Sequence, residues 1–328
     1  MHPSNRSRRL ADAFCAADLC CLITTFGLLV LVLSPSLIQQ RKQEREFGCA
    51  DNLRRLMYGM KIYANDNLEW MPIHYYTARD NEDPAAEHGV TWVGTMGSNR
   101  SLRISQPTTP EISPNESHPS RSLFLLITGG NLTVDHFVCP DTKDRVDDLR
   151  NYGPDAGSGK GKSTAQPGQD RFDFAGYDRL SYGYQLPYGR KAQPCERRDS
   201  RMVIAADKSP YYFSGGAGLT GTRTMRDKRS SVDAPEMWAK KTPAEIEKLS
   251  STSWKKYNSR NHGGKGQNVM YMDGHVAFRM SPLVGVDNDN LYTIQSNDTD
   301  VVAGMLGRVP KPTETFGPLT NTDSFLVP

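Results

Sequence analysis

Surplus charge, apolar bulk and recognisable catalytic signatures are all scarce in this 328-residue chain. Forty basic residues face 37 acidic ones, and a formal excess of +3 is too small to mark a nucleic-acid partner. Apolar residues make up 37% and mean hydropathy is −0.59, which excludes a protein of many membrane spans. The same shortage argues against a long parallel sheet, whose doubly buried strands read as continuous apolar runs. Neither Gly-x-Ser-x-Gly nor His-Glu-x-x-His occurs, and no Ser/His/Asp or Cys/His nucleophile arrangement stands out. Gly263-Gly264-Lys265-Gly266 lacks the Walker spacing and the Ser/Thr after its lysine, so it is not a phosphate loop. What the chain has in quantity is 28 Gly and 21 Pro, the composition of a loop-rich protein.

The apolar residues it does have are concentrated. Phe14–Ile38 holds 18 of them, and Leu19–Ile38 is a run of 20 residues without a charge. At ~1.5 Å per helical residue such a run spans about 30 Å, the thickness of a bilayer's hydrocarbon core. A soluble helix of that length would keep a polar face. A cleaved signal peptide needs small residues after the apolar region, and there Ser34-Pro35-Ser36 is spoiled by its proline. The better small-residue triplet, Ala11-Asp12-Ala13, precedes the run, so cutting there leaves the helix on the mature chain. Arg6, Arg8 and Arg9 favour a cytoplasmic N-terminus, although Arg41, Lys42 and Arg45 on the other side keep charge counting from settling it. Asp18 stands at the start of the apolar helix, where a carboxylate is welcome.

Ala13-Phe14-Cys15-Ala16-Ala17-Asp18-Leu19 resembles the processing site of type IV prepilins and type II secretion pseudopilins. Pro35 falls where their helices carry a proline, and a basic-acidic stretch follows over Gln39–Glu46. The resemblance implies cleavage between Ala13 and Phe14 by a prepilin peptidase and methylation of the new amine. It also implies pairing of Asp18 with that amine on a neighbouring subunit. Ala13 stands for the family's glycine, Cys15 for its usual threonine and Asp18 for its glutamate.

Beyond the membrane run, Ala50, Leu53, Leu56/Met57, Met60 and Tyr63/Ala64 recur every three or four residues, the mark of an amphipathic helix. Asn65-Asp66-Asn67 and Pro72 stop it, so the spacing predicts one helix from about Phe14 to Asn67. Further on, Ser122–Ile127 reads as a short helix, and Asp135–Cys139, Leu180–Gln185 and Arg201–Ala206 as strands. Stretches within 95–175 and 207–253 read as loop insertions over a thinly cored domain. Asn268–Phe278 carries two alternating runs around Asp273-Gly274, which predicts a hairpin over 268–280 with a two-residue type I′ turn.

His262 followed by Asp273-Gly274-His275 resembles the C-terminal His-to-Asp-Gly signature of pilin-like proteins. By residue class alone, His262, Asp273 and His275 also form a metal-type trio, should they converge on one point. Otherwise Asp273 and Gly274 make the turn and His262 bonds across the sheet. Asp287-Asn288-Asp289-Asn290 offers oxygen ligands of the kind calcium uses, with Asp287 and Asp289 as candidates. It lacks the glycine and distal glutamate of an EF-hand, so a solvated loop is expected there, and the resemblance leaves a structural calcium open. Asp141, Asp144, Asp147 and Asp148 cluster as well, but Lys143 and Arg145 between them argue against a cation. Of the six cysteines, Cys15, Cys20 and Cys21 accompany the membrane run as small hydrophobes. In an extracytoplasmic domain one pair among Cys49, Cys139 and Cys195 would form a disulfide, with Cys49–Cys139 the favoured pair; a cytoplasmic domain would keep all three reduced.

The expected fold is α+β: a leader over 1–13, a transmembrane helix over 14–38, its amphipathic continuation over 39–67, and a loop-rich domain over 68–328. A long helix packed on a small antiparallel sheet is the pilin-like arrangement. The resemblance implies a non-enzymatic assembly subunit in a bacterial inner membrane, single-pass, with its C-terminal domain periplasmic. Its partners would be other pilin-like subunits and a prepilin peptidase, with no nucleic acid and no cofactor. Two other readings remain: a signal-anchored metal enzyme using His262, Asp273 and His275, and an unprocessed, degenerate pilin-like membrane protein.

Overall fold

The computed structural model describes residues 16–73, 119–149, 173–174, 177–187, 191–214, 223–225, 238, 240–295, 301–309 and 317–327. The chain divides into two units, Met1–Arg45 and Glu46–Pro328. Helix α1 runs over Ala16–Asp66 as one 51-residue element, with Pro35 inside it, as the sequence predicts. Its N-terminal part is long and apolar enough to cross a membrane: an 18-residue window has mean hydropathy 2.2 and none of it is buried. The hydroxyls in this part turn back on their own helix. Thr24 and Thr25 donate to the carbonyls of Cys20 and Cys21 at 2.8 Å each, and Ser36 donates to Leu33 at 2.8 Å. Pro35 has no N–H for the Leu31 carbonyl, and the Ser34 hydroxyl lies 3.5 Å from that oxygen. Such self-satisfaction is what a helix needs where no water is available.

In the second unit the sequence alternates between short elements and turns. Helix α2 covers Ser120–Thr128, strand β1 Tyr182–Gln185, strand β2 Val203–Asp207, and a small hairpin pairs β3 (Tyr212–Ser214) with β4 (Arg223–Met225). Short helices α3 (Pro243–Glu247) and α4 (Ser251–Trp254) precede strands β5 (Gln267–Tyr271) and β6 (Val276–Arg279). Helix α5 (Val301–Leu306) and strand β7 (Leu326–Val327) follow, and short 3₁₀ turns lie at Val134–Phe137, Tyr177–Arg179 and Val286–Asn288. The main sheet has the order β6-β5-β2-β1-β7, antiparallel throughout. This is an α+β fold with a long N-terminal helix and a small antiparallel sheet.

The expectation of a thin core does not hold. Both faces of the sheet are covered. On one face Leu53, Leu56, Met57 and Met60 of α1 and Leu123, Phe124 and Leu126 of α2 pack with Tyr182, Tyr184, Ile204 and Met270. On the other, Val203, Val269 and Tyr271 meet Trp238, Trp254, Tyr257, Tyr292 and Phe325 from the connecting segments. Polar loops with isolated aromatics thus supply a second layer that a search for apolar runs overlooks. The register slips between Val203 and Ala205, so Ile204 and Ala205 both face the helical layer.

Two local expectations need correction. Residues 135–139 are not a strand: Val134–Phe137 is a 3₁₀ turn, Pro140 follows Cys139, and the Phe137 carbonyl accepts a backbone bond from Ser181. The hairpin is present, but its turn is not type I′. Asp273 does not have positive φ; only Gly274 does, at 92°. The Gly274 N–H bonds the Tyr271 carbonyl and the Tyr271 N–H bonds the His275 carbonyl, both at 2.9 Å, giving a three-residue loop with Gly274 in the left-handed region. Met272 causes the shift, because its side chain is buried with the α1 layer and lengthens the loop by one residue. Gly274→Ala is expected to destabilise the protein by about 1–2 kcal/mol through that backbone angle. Thermal unfolding of the variant tests this; an unchanged midpoint would refute it.

The insertions expected over 95–118 and 150–172 lie outside the described residues, as do 215–222 and 226–237.

Candidate metal centre

Four side chains from distant parts of the chain meet beneath the sheet. Cys49 comes from the inward face of α1, in the same three-and-four register as Leu53, Leu56 and Met60. Cys139 follows the 3₁₀ turn, and its neighbour Pro140 approaches α1 at Gly48, where a Cβ would lie 3.2 Å from the proline ring. Asp207 ends the buried strand β2, and His262 lies in the turn before β5. One ligand atom from each lies within 4.8 Å of those of the other three. None of the four is more than 6% exposed.

Asp207 is the hub. Its Oδ1 accepts from the Cys49 thiol at 3.0 Å and from Asn261 Nδ2 at 2.9 Å. Its Oδ2 accepts from the Asn268 N–H at 2.6 Å and lies 3.1 Å from His262 Nε2. A buried carboxylate without such donors would be strongly unfavourable. The opposite ring nitrogen, His262 Nδ1, faces Asp141 Oδ2 at 3.1 Å, and Cys139 Sγ stands 4.0 Å from Nε2. Tyr182 donates its hydroxyl to Cys49 Sγ at 3.4 Å.

Burial works against a charge on His262, but the bonds to Asp207 and Cys139 prevail and push its pKa up to about 11. The two thiols diverge. Burial, then the neighbouring Cys139 and Asp207, pushes Cys49 well up. The hydrogen bond from Cys49 pulls Cys139 down, against burial and with help from His262. Cys139 is therefore the thiol closer to ionisation.

Cys139, His262 and Asp141 stand in the order of a nucleophile, a base and an orienting acid. Cys139 is only 1% exposed and Asp207 Oδ2 faces Nε2 at 3.1 Å, so among the described residues the sulfur is enclosed by protein groups and does not face solvent. The donor set of two sulfurs, one imidazole and one carboxylate is instead that of a closed zinc-type site. An oxygen-preferring cation such as calcium does not fit it.

The sequence-derived residues fare unevenly. His262 is in the centre, whereas Asp273 and His275 are not: both are exposed at the hairpin tip. Asp273 accepts from the His275 N–H at 2.8 Å, and the His275 ring sits 5.5 Å from that of Tyr271. The trio His262, Asp273 and His275 is therefore not brought together. Asp287 and Asp289 also diverge. Asp287 faces outward, 3.9 Å from Arg201, while Asp289 is buried and accepts from the Ser324 N–H at 2.8 Å. Asp144 pairs with Lys208 at 2.6 Å, and Asp147 accepts from the Leu149 N–H, so the acidic cluster is dispersed on separate tasks. Cys49 and Cys139 are adjacent as expected, but both are free thiols here, as is Cys195. Ala13, Phe14 and the side chain of Asp18 lie outside the described residues. Asp207 carries no motif in the sequence; its one local signal is a carboxylate ending a fully apolar strand run, Met202–Ala206.

A scan against protein-family models gives no match, and neither a curated protein nor a solved structure matches this chain.

Proposed function

We propose that this chain is a membrane-anchored, pilin-like assembly subunit. The observation that carries the reading is α1: one continuous helix whose first part is apolar and unburied and whose last part forms a face of the α+β core. A buried core helix would hide its apolar residues, and a cleaved signal would not continue without a break into the domain that follows. Phe47, Tyr58 and Ile62 support the same reading. They lie within about 60° of one another around α1 at 100° per residue, on the side opposite Leu53 and Leu56, and are 51–70% exposed. A helix with an apolar stripe on its outer side is suited to pack against another helix of its kind.

In this reading the leader is cut at Ala13–Phe14, the N-terminus is cytoplasmic, and the second unit lies outside the cytoplasm. Asp18 then neutralises the Phe14 amine of a neighbouring subunit within the bilayer, where an unpaired carboxylate costs on the order of 2–3 kcal/mol at mid-depth. N-terminal sequencing of protein purified from membranes is expected to start at a methylated Phe14. An intact Met1, or a start beyond Ile38, would overturn the reading. The intact Met1 would favour an unprocessed relative, and the later start a secreted domain.

A further inference from the structure

We infer that Cys49, Cys139, Asp207 and His262 form a structural zinc site that fastens α1 to the sheet. The inference is independent of the assembly reading, since it concerns only the second unit. Zinc bonds of ~2.0–2.3 Å set ligand-to-ligand edges of roughly 3.3–3.8 Å in a tetrahedron. The closest approaches here are 3.0 Å from Cys49 Sγ to Asp207 Oδ1, 3.1 Å from Asp207 Oδ2 to His262 Nε2 and 4.0 Å from Cys139 Sγ to His262 Nε2. These distances lie on either side of that range, and with one ligand atom taken from each residue all four lie within 4.8 Å of one another, so shifts of about 1 Å or less in each edge bring them onto one ion.

The surroundings are built as such a site requires. A metal-bound imidazole normally gives its other N–H to a carboxylate, and Asp141 holds His262 Nδ1 in this way. Asn261 Nδ2 and the Asn268 N–H donate to Asp207, and Tyr182 donates to Cys49 Sγ, which spreads the negative charge of the ligands. Two sulfurs select zinc over magnesium or calcium. Four protein ligands without an exposed side mark the site as structural rather than catalytic. The competing arrangement, a Cys49–Cys139 disulfide, would account for the two sulfurs. It gives no reason for a buried imidazole and a buried carboxylate to converge on the same point.

The test uses the full chain in detergent, purified through a tag without histidines and dialysed after addition of zinc. Elemental analysis is expected to return about one equivalent of zinc per chain. Replacement by cobalt(II) is expected to give the intense visible bands of a tetrahedral site and a thiolate-to-cobalt band in the near ultraviolet. The double variant Cys49→Ser/Cys139→Ser should lose the metal, while Asp273→Asn and His275→Ala should keep it. Asp141 is at the rim, so Asp141→Asn should fold and yet bind zinc about 10- to 100-fold more weakly. Three results would overturn the site: no stoichiometric zinc in the unaltered chain, zinc retained by the double cysteine variant, or a metal-free protein whose Cys49 and Cys139 are joined in a disulfide.

Discussion

Asp207→Ala in the metal-free protein is expected to remove about 3–5 kcal/mol of stability, the usual loss when one partner of a buried ion pair is deleted. The carboxylate is fully buried and sits opposite the imidazole of His262 at 3.1 Å. Without it, the Nε2 side of His262 loses its carboxylate, the Asn268 N–H loses its acceptor, and Asn261 Nδ2 keeps only the Ser181 carbonyl. Each buried donor left without an acceptor costs on the order of 1–3 kcal/mol. Denaturant unfolding of the chelated, detergent-solubilised chain measures the loss. Trp238 and Trp254, with ring centroids 4.4 Å apart in the core, provide the fluorescence signal. His275→Ala, at the exposed hairpin tip, should stay within about 0.5 kcal/mol of the parent. A loss below about 1 kcal/mol for Asp207→Ala would show that the hub does not hold the layers together.

The second large effect concerns two other buried acids. Asp289 and Asp323 are 2% and 0% exposed, and the Oδ1 atom of each has no hydrogen-bond partner. Burial, then the nearby Asp323, raises the Asp289 pKa well above the carboxylate range. Burial alone outweighs two backbone donors at Asp323 and raises it to about 7. Between the unfolded value of 3.8 and about 7 the folded protein therefore binds more protons than the unfolded one. Stability is thus greatest below pH 4 on this account and falls as pH rises toward 7, the reverse of a salt-bridged aspartate. Asp323→Asn retains an oxygen for the N–H groups of Leu319 and Gln295 while removing the titration. Its stability relative to the parent should rise between pH 4 and pH 8, by at most about 4 kcal/mol at ~1.4 kcal/mol per pH unit. Parallel unfolding curves at the two pH values check it, and a difference independent of pH would refute it.

How much of this was legible in sequence differs by feature. Helix α1 was readable nearly residue by residue, because a long uncharged run and a three-and-four spacing are local signals. Strands β1, β2, β5 and β6 were readable for the same reason. The turn type was not. Asp273-Gly274 fits two kinds of loop, and the burial of Met272 against α1, a tertiary contact, decides between them. The second core layer escaped notice because Trp238, Trp254, Tyr257 and Tyr292 sit singly in polar text. The metal centre was visible only in pieces. The sequence puts Cys49 with Cys139 and marks His262, but by residue class it groups His262 with Asp273 and His275 on the following hairpin. Its actual neighbours, Asp141 and Asp207, lie 121 and 55 positions away (262 − 141 and 262 − 207). No spacing rule spans such distances: the pairing of β2 with β5 brings Asp207 to His262, and the Ser181–Phe137 backbone bond ties the segment carrying Asp141 beside them.

The spread of the four residues along the chain also orders events during synthesis. At roughly 5–20 residues per second, Cys49 emerges about 10–40 s before His262. The apolar part of α1 precedes Cys49, so the whole of that helix has been made before the residues that complete the cluster. For that interval Cys49, and later Cys139, are thiols without their imidazole neighbour, open to whatever oxidant or metal surrounds the growing chain. The centre can therefore close only after the last of its four residues, His262, has been made, when 66 residues of the chain (328 − 262) are still to come.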